Sequence, residues 1–476
     1  MTALTQVLSA IEPIVGSRWI RRGRAELETY SSDGLPTLHA RPGAAVLPGS
    51  RDEVIRIVRA LAQYHVPFVA RGAGTGLSGG ALAQADALLI ILTRLTRILQ
   101  IDPRNRRATV EPGVVNVRLS NAAAPFGLHY APDPSSQTAC TLGGNVAENA
   151  GGPHCVKYGV TTNHILALEV VLPDGDVVQL GSPGGDPWGP DLVGLFVGSE
   201  GMLGIATRIT VRLTPLPTAV RTLLADFNTL RAAGEAVSAI IAAGVVPAAL
   251  EMMDRNCVGV VESSIYAAGY PTDAAAVLLV ELDGMEDDAV ADVARAVAAL
   301  LADHGARTIR TASDEADRQR LWQGRKKAFG ALGRLSPDLV VQDAVVPRST
   351  LPDVLDRIAA IGDRYGLTVS NVFHAGDGNL HPNITFDRSD PDQRHRVERA
   401  SVEIMEACIA AGGTITGEHG VGRDKLRYMP ALFDANTLGA MRAVRRVFDP
   451  EERCNPGKVI PIHACREWTT AKRTIT

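Results

Sequence analysis

The spacing of apolar and polar positions changes rhythm once along this chain, near residue 217. Before that point short apolar runs dominate. Ser50-Arg51-Asp52-Glu53 has capping-box spacing, and Val54, Ile57, Val58 and Leu61 follow on one helical face, so a helix is predicted there, ended by Pro67. Residues 68–70 read as a short strand. Strand-like runs recur at 87–92, 97–101 and 107–111, the last two joined by a turn at Asp102-Pro103-Arg104-Asn105. Residues 165–172 form another, closed by Pro173-Asp174-Gly175, and 204–213 alternate apolar with polar residues as a half-buried strand does. Thr214-Pro215-Leu216-Pro217 then breaks the pattern. The first domain is therefore placed at 1–217, with its core from about 40 to 217.

From 218 the rhythm becomes strand–helix–strand, four times over. A strand at 222–227 precedes a helix to 243 and a strand at 249–253. Strands at 277–282 and 307–311 flank a helix at 287–303. Strands at 339–346 and 368–373 flank a helix at 350–364. The last unit runs from a strand at 381–386 through a helix at 391–411 to 413–416. Amphipathic helices alternating with strands predict an α+β sandwich with internal duplication. Residues 436–459 read as a helix with an apolar finish that packs back on the body. The second domain is placed at 218–461 and a tail at 462–476.

Composition narrows the possibilities. The chain has 476 residues, enough for two or three cores, with 46% hydrophobic and 21% charged residues, an ordinary globular balance. A net charge of −4 with interspersed signs provides no basic stripe, which argues against nucleic acid as a partner. Residues 1–20 include Glu12 and have neither a basic start nor a continuous apolar stretch, so no secretory signal is read there. The longest apolar run, 87–92, suits a buried strand and is too short for a bilayer. Cysteines at 140, 155, 257, 408, 454 and 465 form no Cys-x-x-Cys pair, which speaks against an iron–sulfur cluster or a disulfide framework in this chain and suits a cytoplasmic protein.

Two kinds of glycine-rich stretch carry the chemistry. Gly74-Thr75-Gly76-Leu77-Ser78-Gly79 satisfies the dinucleotide fingerprint, yet the stretch after it is too short for a helix and leads into another strand, and no acidic residue closes a second strand at the expected distance of about 20 residues. A nicotinamide site is rejected on that ground. Consecutive backbone N–H groups can still cradle phosphate, with Arg71 adding charge. Two more such stretches follow: Pro132-Asp133-Pro134-Ser135-Ser136 with Thr141 to Gly152, and Gly198-Ser199-Glu200-Gly201 leading to Gly204 and Ile205. Any one of them is by default a plain turn. Three within about 130 residues suit a long ligand bound along its length.

The second kind is His374-Ala375-Gly376-Asp377-Gly378-Asn379-Leu380-His381 with Gly417-Glu418-His419-Gly420. Two histidines on either side of a glycine turn plus a carboxylate suit zinc or another borderline divalent ion with open positions. Glu418 and His419 are neighbours, so their side chains are expected to point apart, one toward a metal and one toward a substrate. Lone histidines such as His304 and His395 read as ordinary surface or core residues.

These residues resemble the FAD-binding loops of the vanillyl-alcohol oxidase and p-cresol methylhydroxylase superfamily, and the C-terminal motifs resemble its FAD-linked 2-hydroxy-acid dehydrogenase branch. The likeness covers about residues 40–461. It implies an α+β chain: a two-part FAD-binding domain of the vanillyl-alcohol oxidase type, then a duplicated, ferredoxin-like α+β substrate domain and a C-terminal helical tail. It implies non-covalent FAD, since positions 72–76 lack the histidine that tethers flavin in some members. Cofactor contacts are implied at Arg71, Gly72, Ala73, Gly74, Thr75, Gly76 and Ser78 on the pyrophosphate. Pro134, Ser136, Thr141, Gly143, Gly144, Asn145, Asn149, Gly152, Glu200, Gly204, Ile205 and Asn455 are implied elsewhere on it. His374, His381 and Glu418 are implied as ligands to zinc or manganese, His419 as base, and Asn383 and Arg325 as substrate contacts. Arg325 would hold the substrate carboxylate, whereas Lys326 and Lys327 suit a solvated helix face. Relatives acting on larger diacids carry a lysine near Gln342; its absence favours a small monoacid.

The implied activity is oxidation of a 2-hydroxy acid, with glycolate, D-lactate or D-2-hydroxyglutarate open, and electrons leaving to a partner or quinone rather than NAD. The implied partners are an iron–sulfur subunit and a second flavin subunit, which would bring a cytoplasmic chain to the inner face of a membrane. The competing expectations are a flavin-binding subunit without catalysis and a metal-binding regulatory module.

Overall fold

The structure, a computed structural model, describes residues 2–184 and 189–461. Cys465 and the rest of the expected tail, 462–476, lie outside the described residues. The chain divides into two compact units: residues 2–151, 159–216 and 418–461 form one, and 152–158 with 217–417 form the other. Among the described residues no helix is long and apolar enough to cross a membrane.

The first unit is built on two sheets. In the smaller, Ile20–Arg21, Ala44–Val46, Leu88–Ile91 and Phe68–Arg71 lie side by side in that order. The last three run parallel, and Leu88–Ile91 is buried throughout, as a central strand covered on both faces must be. The helix Arg51–Gln63 lies where the periodicity predicts it. Ser50 caps it by accepting from Glu53 N–H at 3.2 Å, while the Glu53 carboxylate reaches back to Gly49 N–H instead of Ser50. The larger sheet is antiparallel, in the order Ile98–Asp102, Arg107–Val110, Ile205–Arg212, Ile165–Val171, Val177–Gly181. The glycine-rich stretch after Thr141 is not all loop. Leu142–Glu148 is a short helix, because Thr141 accepts from Gly144 N–H and Asn149 ends it in the left-handed conformation.

The second unit is the duplicated sandwich. Its first four strands, Ala219–Phe227, Ala249–Asp254, Ala276–Gly284 and Ala306–Thr311, lie in the order fourth, first, third, second, the ferredoxin-like arrangement. The second half repeats that order. Thr414 bridges Val345, Ala344–Val345 pairs with Asn379–Leu380, and that hairpin partner pairs with Val369–His374. The halves join where Val369–His374 pairs antiparallel with Ala249–Asp254. The run 339–346, expected as one strand, breaks at Gln342-Asp343 into Asp338–Val341 and Ala344–Val345. Asp343 accepts there from Thr416 Oγ1 at 2.5 Å and Gly417 N–H at 3.0 Å. The final strand expected at 413–416 shrinks to the single bridge at Thr414.

Cross-strand partners project from the same face of a sheet. Thr222 and Ala249 flank Glu281, and Leu279 and His374 flank Glu251, so both glutamates point to one face. That face also carries Leu224, Met253, Val277 and Leu279, which pack against the helices Arg255–Glu262 and Glu315–Leu332. Glu281 fixes the second helix. It accepts from both Arg318 Nε and Nη2 at 2.8 and 2.9 Å and from Trp322 Nε1 at 2.5 Å, with Thr222 and His154 as further partners. Arg325 lies one turn beyond Trp322 on the same helical face. Burial alone would raise the Glu281 carboxyl, but hydrogen bonds from His154 and Arg318 outweigh it and hold its pKa far below the usual range.

Glu281→Gln should therefore destabilise the chain by about 1–3 kcal/mol at pH 7 in a urea titration, because Trp322 Nε1 and the half-buried Arg318, which keeps the exposed Glu315, lose a charged buried acceptor. The depressed native pKa adds stability present above the unfolded carboxyl's pKa and lost as pH falls below it, so the deficit should narrow from pH 5 to pH 3. A deficit independent of pH would contradict this.

Candidate cofactor cradle and metal centre

In the first unit the three glycine-rich stretches are braced by protein contacts, each at a stated atom. Arg71, at the end of the strand Phe68–Arg71, is buried and donates to Ser32 O at 2.9 Å and Ala81 O at 3.4 Å. Its guanidinium thus props the loop from within, and burial lowers its pKa. A Cβ on Gly74 would stand 2.1 Å from that guanidinium, and one on Gly72 would stand 2.3 Å from Thr141 Oγ1. These two glycines are required by close approach. Asn149 Oδ1 accepts from Thr162 N–H, and Asn116 donates to Pro132 O, which holds the segment of Pro134 and Ser136. The third stretch docks on the Leu142–Glu148 helix through Gly198 N–H to Val146 O and Glu200 N–H to Ala147 O.

The chain's last described segment closes this unit. Glu200 accepts from Val421 N–H at 2.7 Å and Gly422 N–H at 2.8 Å. Asn455 donates to Gly80 O and Glu200 O, and Lys458 donates to Gly80 O, Leu82 O and Asn455 Oδ1. Burial pushes the Glu148 carboxyl well up, with Glu200 and Asp33 adding repulsion, and pushes Glu200 up more weakly because the Gly422 and Val421 amides oppose it. Burial also pulls the Lys458 ammonium down to about 7. The sequence offers no periodic signal for these lysine and glutamate roles.

Four buried polar atoms on these stretches, Ser78 Oγ, Asn145 Nδ2, Glu148 Oε2 and Ser199 Oγ, have no hydrogen-bond partner among the described residues. Each such group costs roughly 1–3 kcal/mol if left unsatisfied. A long ligand bearing hydroxyl, phosphate and ring-nitrogen groups would satisfy them, so the residues present fit FAD.

In the second unit Glu251, Arg325, His374 and His381 form one buried cluster. Glu251 is wholly buried in the strand Ala249–Asp254. It accepts from Arg325 Nη2 at 2.5 Å and faces His374 Nδ1 at 2.8 and 3.0 Å. Burial alone would raise its pKa, but Arg325 and then His374 outweigh that, and the net direction is down. His381 presents Nδ1 to Gln342 O at 3.3 Å, and its ring meets that of His374 edge-on with centroids 5.3 Å apart. Both imidazoles thus have an oxygen at Nδ1, which favours a proton there and sets the orientation of each ring. The donor set fits a divalent ion. Arg325 Nε is buried and has no hydrogen-bond partner among the described residues. Asn383 is fully buried, donates to His381 O at 2.6 Å, and its Oδ1 has no hydrogen-bond partner among the described residues. Gly152 begins the segment 152–158, in which His154 stacks on Trp322 at 5.5 Å and pairs with Glu281.

Glu418 and His419 open the last segment of the first unit. Their side chains do not diverge as expected: His419 Nε2 lies 4.0 Å from Glu418 Oε1, because the backbone bends at 417–419 instead of running extended. Sequence reasoning missed Glu251, Glu281 and Asp343. The available signal was an acidic residue inside an apolar strand, Leu250-Glu251-Met252-Met253 and Leu279-Val280-Glu281-Leu282, which is costly without a buried partner.

Comparison with known proteins agrees with both halves of this description. Residues 42–181 match the family described as FAD binding domain, and residues 216–459 match FAD linked oxidases, C-terminal domain. The chain is 48% identical to the glycolate oxidase subunit GlcD of Escherichia coli strain K12 over 98% of its own length and 93% of the relative's. It is 42% identical to GlcD of Bacillus subtilis, over 93% and 94%, and 32% identical to a D-lactate dehydrogenase of Anaerostipes hadrus, over 88% and 90%. The fold is shared with substrate-bound p-cresol methylhydroxylase, with a TM-score of 0.82 at 17% identity over 96% of each chain. The chain belongs to the FAD-linked oxidases, with the vanillyl-alcohol oxidase type of fold; it is an FAD-linked oxidoreductase.

Gly72→Ala should displace Thr141 and lower FAD affinity at least about tenfold, a change of about 1.4 kcal/mol, read as flavin absorbance per protein after gel filtration. Gly439→Ala, in the helix Ala435–Phe448 where a Cβ meets nothing within 4 Å, should leave flavin content unchanged. Equal flavin content in both variants would contradict the close-approach argument.

Proposed function

We propose that the chain oxidises a small 2-hydroxy acid to the 2-oxo acid, glycolate first and D-lactate second, and passes the electrons to partner subunits. The observation that carries this reading is the buried Nε of Arg325, without a hydrogen-bond partner among the described residues, on a guanidinium joined through the Glu251 carboxylate to His374 Nδ1. The likeness to proteins named for glycolate and D-lactate supports the substrate class. The bound groups supply a two-electron acceptor, FAD, and a Lewis acid, a divalent ion such as zinc or manganese.

The chain's own residues do the rest. Arg325 presents a planar fork to the substrate carboxylate. His374, His381 and Glu418 hold the ion, and the Nδ1 contacts to Glu251 and Gln342 O keep the two rings oriented. His419 takes the hydroxyl proton on its imidazole as C2 is oxidised, leaving a carbonyl. Asn383 offers its free Oδ1 to the substrate. Gln342 donates its amide to Ser401 Oγ at 3.0 Å and brings no cation, which favours a monoacid over D-2-hydroxyglutarate.

Electrons then leave the chain. The Escherichia coli and Bacillus subtilis relatives are named as subunits, which supports the same for this chain. An iron–sulfur subunit is the proposed acceptor, with a second flavin subunit beside it and attachment to the inner face of a membrane through these partners.

His419→Ala should slow anaerobic flavin reduction by glycolate about 10²- to 10⁴-fold in stopped flow, with the flavin spectrum intact; an unchanged rate removes His419 as base. Prolonged dialysis against a chelator should abolish reduction while flavin stays bound, and zinc or manganese should restore it. Full activity in metal-free protein would take the ion out of the mechanism.

A further inference from the structure

Glu251 has a place no stability argument explains. It sits wholly buried in the middle of a strand whose neighbours are Leu250, Met252 and Met253, on a sheet face where Leu224, Met253, Val277 and Leu279 supply the apolar packing and Glu281 is the second buried carboxylate. Buried ion pairs are on balance no more stabilising than well-packed apolar side chains of the same volume. Holding the sheet to the helix Glu315–Leu332 does not require it either, since Glu281 already grips Arg318 and Trp322 on that helix. What Glu251 alone does is touch two functional groups at once. Oε2 accepts from Arg325 Nη2 at 2.5 Å, and Oε1 lies 2.8 Å from His374 Nδ1. With Arg325 drawn to Glu251 through Nη2, its Nε is left for another anion. With His374 Nδ1 held by the same carboxylate, the orientation of its ring is set there.

We infer that Glu251 is a positioning residue shared by the substrate clamp and the metal centre, its single carboxylate aiming Arg325 and the His374 ring together. The inference rests on the function proposed above and adds a coupling to it: the two halves of the site cannot be disturbed separately at Glu251. A glutamine there keeps the volume but has one acceptor oxygen in place of two. It also removes the charge that pairs with Arg325, and its NH2 turns a donor toward His374 Nδ1 or Arg325 Nη2, so the charge-assisted hold on the two together is lost.

Glu251→Gln is compared with the wild-type chain, both loaded with FAD. Zinc affinity is measured by competition with a chromophoric chelator, and KM and the limiting rate by anaerobic flavin reduction with glycolate and D-lactate. Zinc affinity should fall about 10- to 100-fold and KM should rise about tenfold or more, while flavin content stays at the wild-type level. A merely structural carboxylate would lower stability without moving zinc affinity or KM in the folded protein, and that result overturns the inference. If the variant does not fold, Glu251→Gln combined with Arg325→Met removes both charges and is read for zinc alone, where wild-type affinity likewise overturns it. If the wild-type chain reduces its flavin with neither acid, the proposed function fails, and the zinc arm still decides whether Glu251 positions His374.

Discussion

Two carboxylates buried on one face of an antiparallel sheet organise the second unit. Burying a charge is tolerated only when it is fully paired, so each glutamate dictates what must stand opposite it. Glu281 calls for Arg318 and Trp322, which fixes the helix Glu315–Leu332 against the sheet. Glu251 calls for Arg325, two turns further along that helix, and for His374 on the neighbouring strand. Cross-strand register does the rest: because Glu251 pairs with His374 and His374 with Asn379, one polar row crosses strands from both halves of the duplication. The site lies at the seam where the two repeats join.

The first unit solves a different problem by different means. A ligand as long as FAD calls for backbone at several places, and here side chains hold that backbone in position. Arg71 props one loop, Thr141 caps the helix beside it, and Lys458 with Asn455 ties Gly80 and Leu82 to the end of the described chain. The glycines at 72 and 74 are small because Thr141 and Arg71 occupy the space a side chain would need. Several buried polar atoms on these stretches have no hydrogen-bond partner among the described residues, which fits a polar ligand such as the FAD of the family to which the chain belongs.

Much of this was legible in the sequence where local periodicity governs. The helix at Arg51–Gln63, the strand–helix–strand units after 218 and the duplication follow from patterning alone, since each element buries one face. The histidines stood out because glycine-flanked histidines have few bland explanations. What was hidden depends on partners distant in sequence. Glu251 looks like a flaw in an apolar strand until Arg325 and His374 are seen beside it. The helix Glu315–Leu332 has a weak periodic signature because Asp317 and Arg325 lie on its buried face. Leu142–Glu148 carries no helical signal in sequence because its glycines outweigh a cap that acts over only three residues. The strand expected at 339–346 is interrupted because Asp343 turns to hold Thr416 and Gly417, which nothing in its pattern announces.

The central claim is that the buried row presents His374 and His381 to a metal. X-ray absorption spectroscopy of the full chain, FAD-bound and loaded with one equivalent of zinc, tests it most directly. The account predicts a first shell of oxygen and nitrogen at about 2.0–2.1 Å with outer-shell scattering from two imidazoles. A shell without imidazole, or with sulfur, would contradict it.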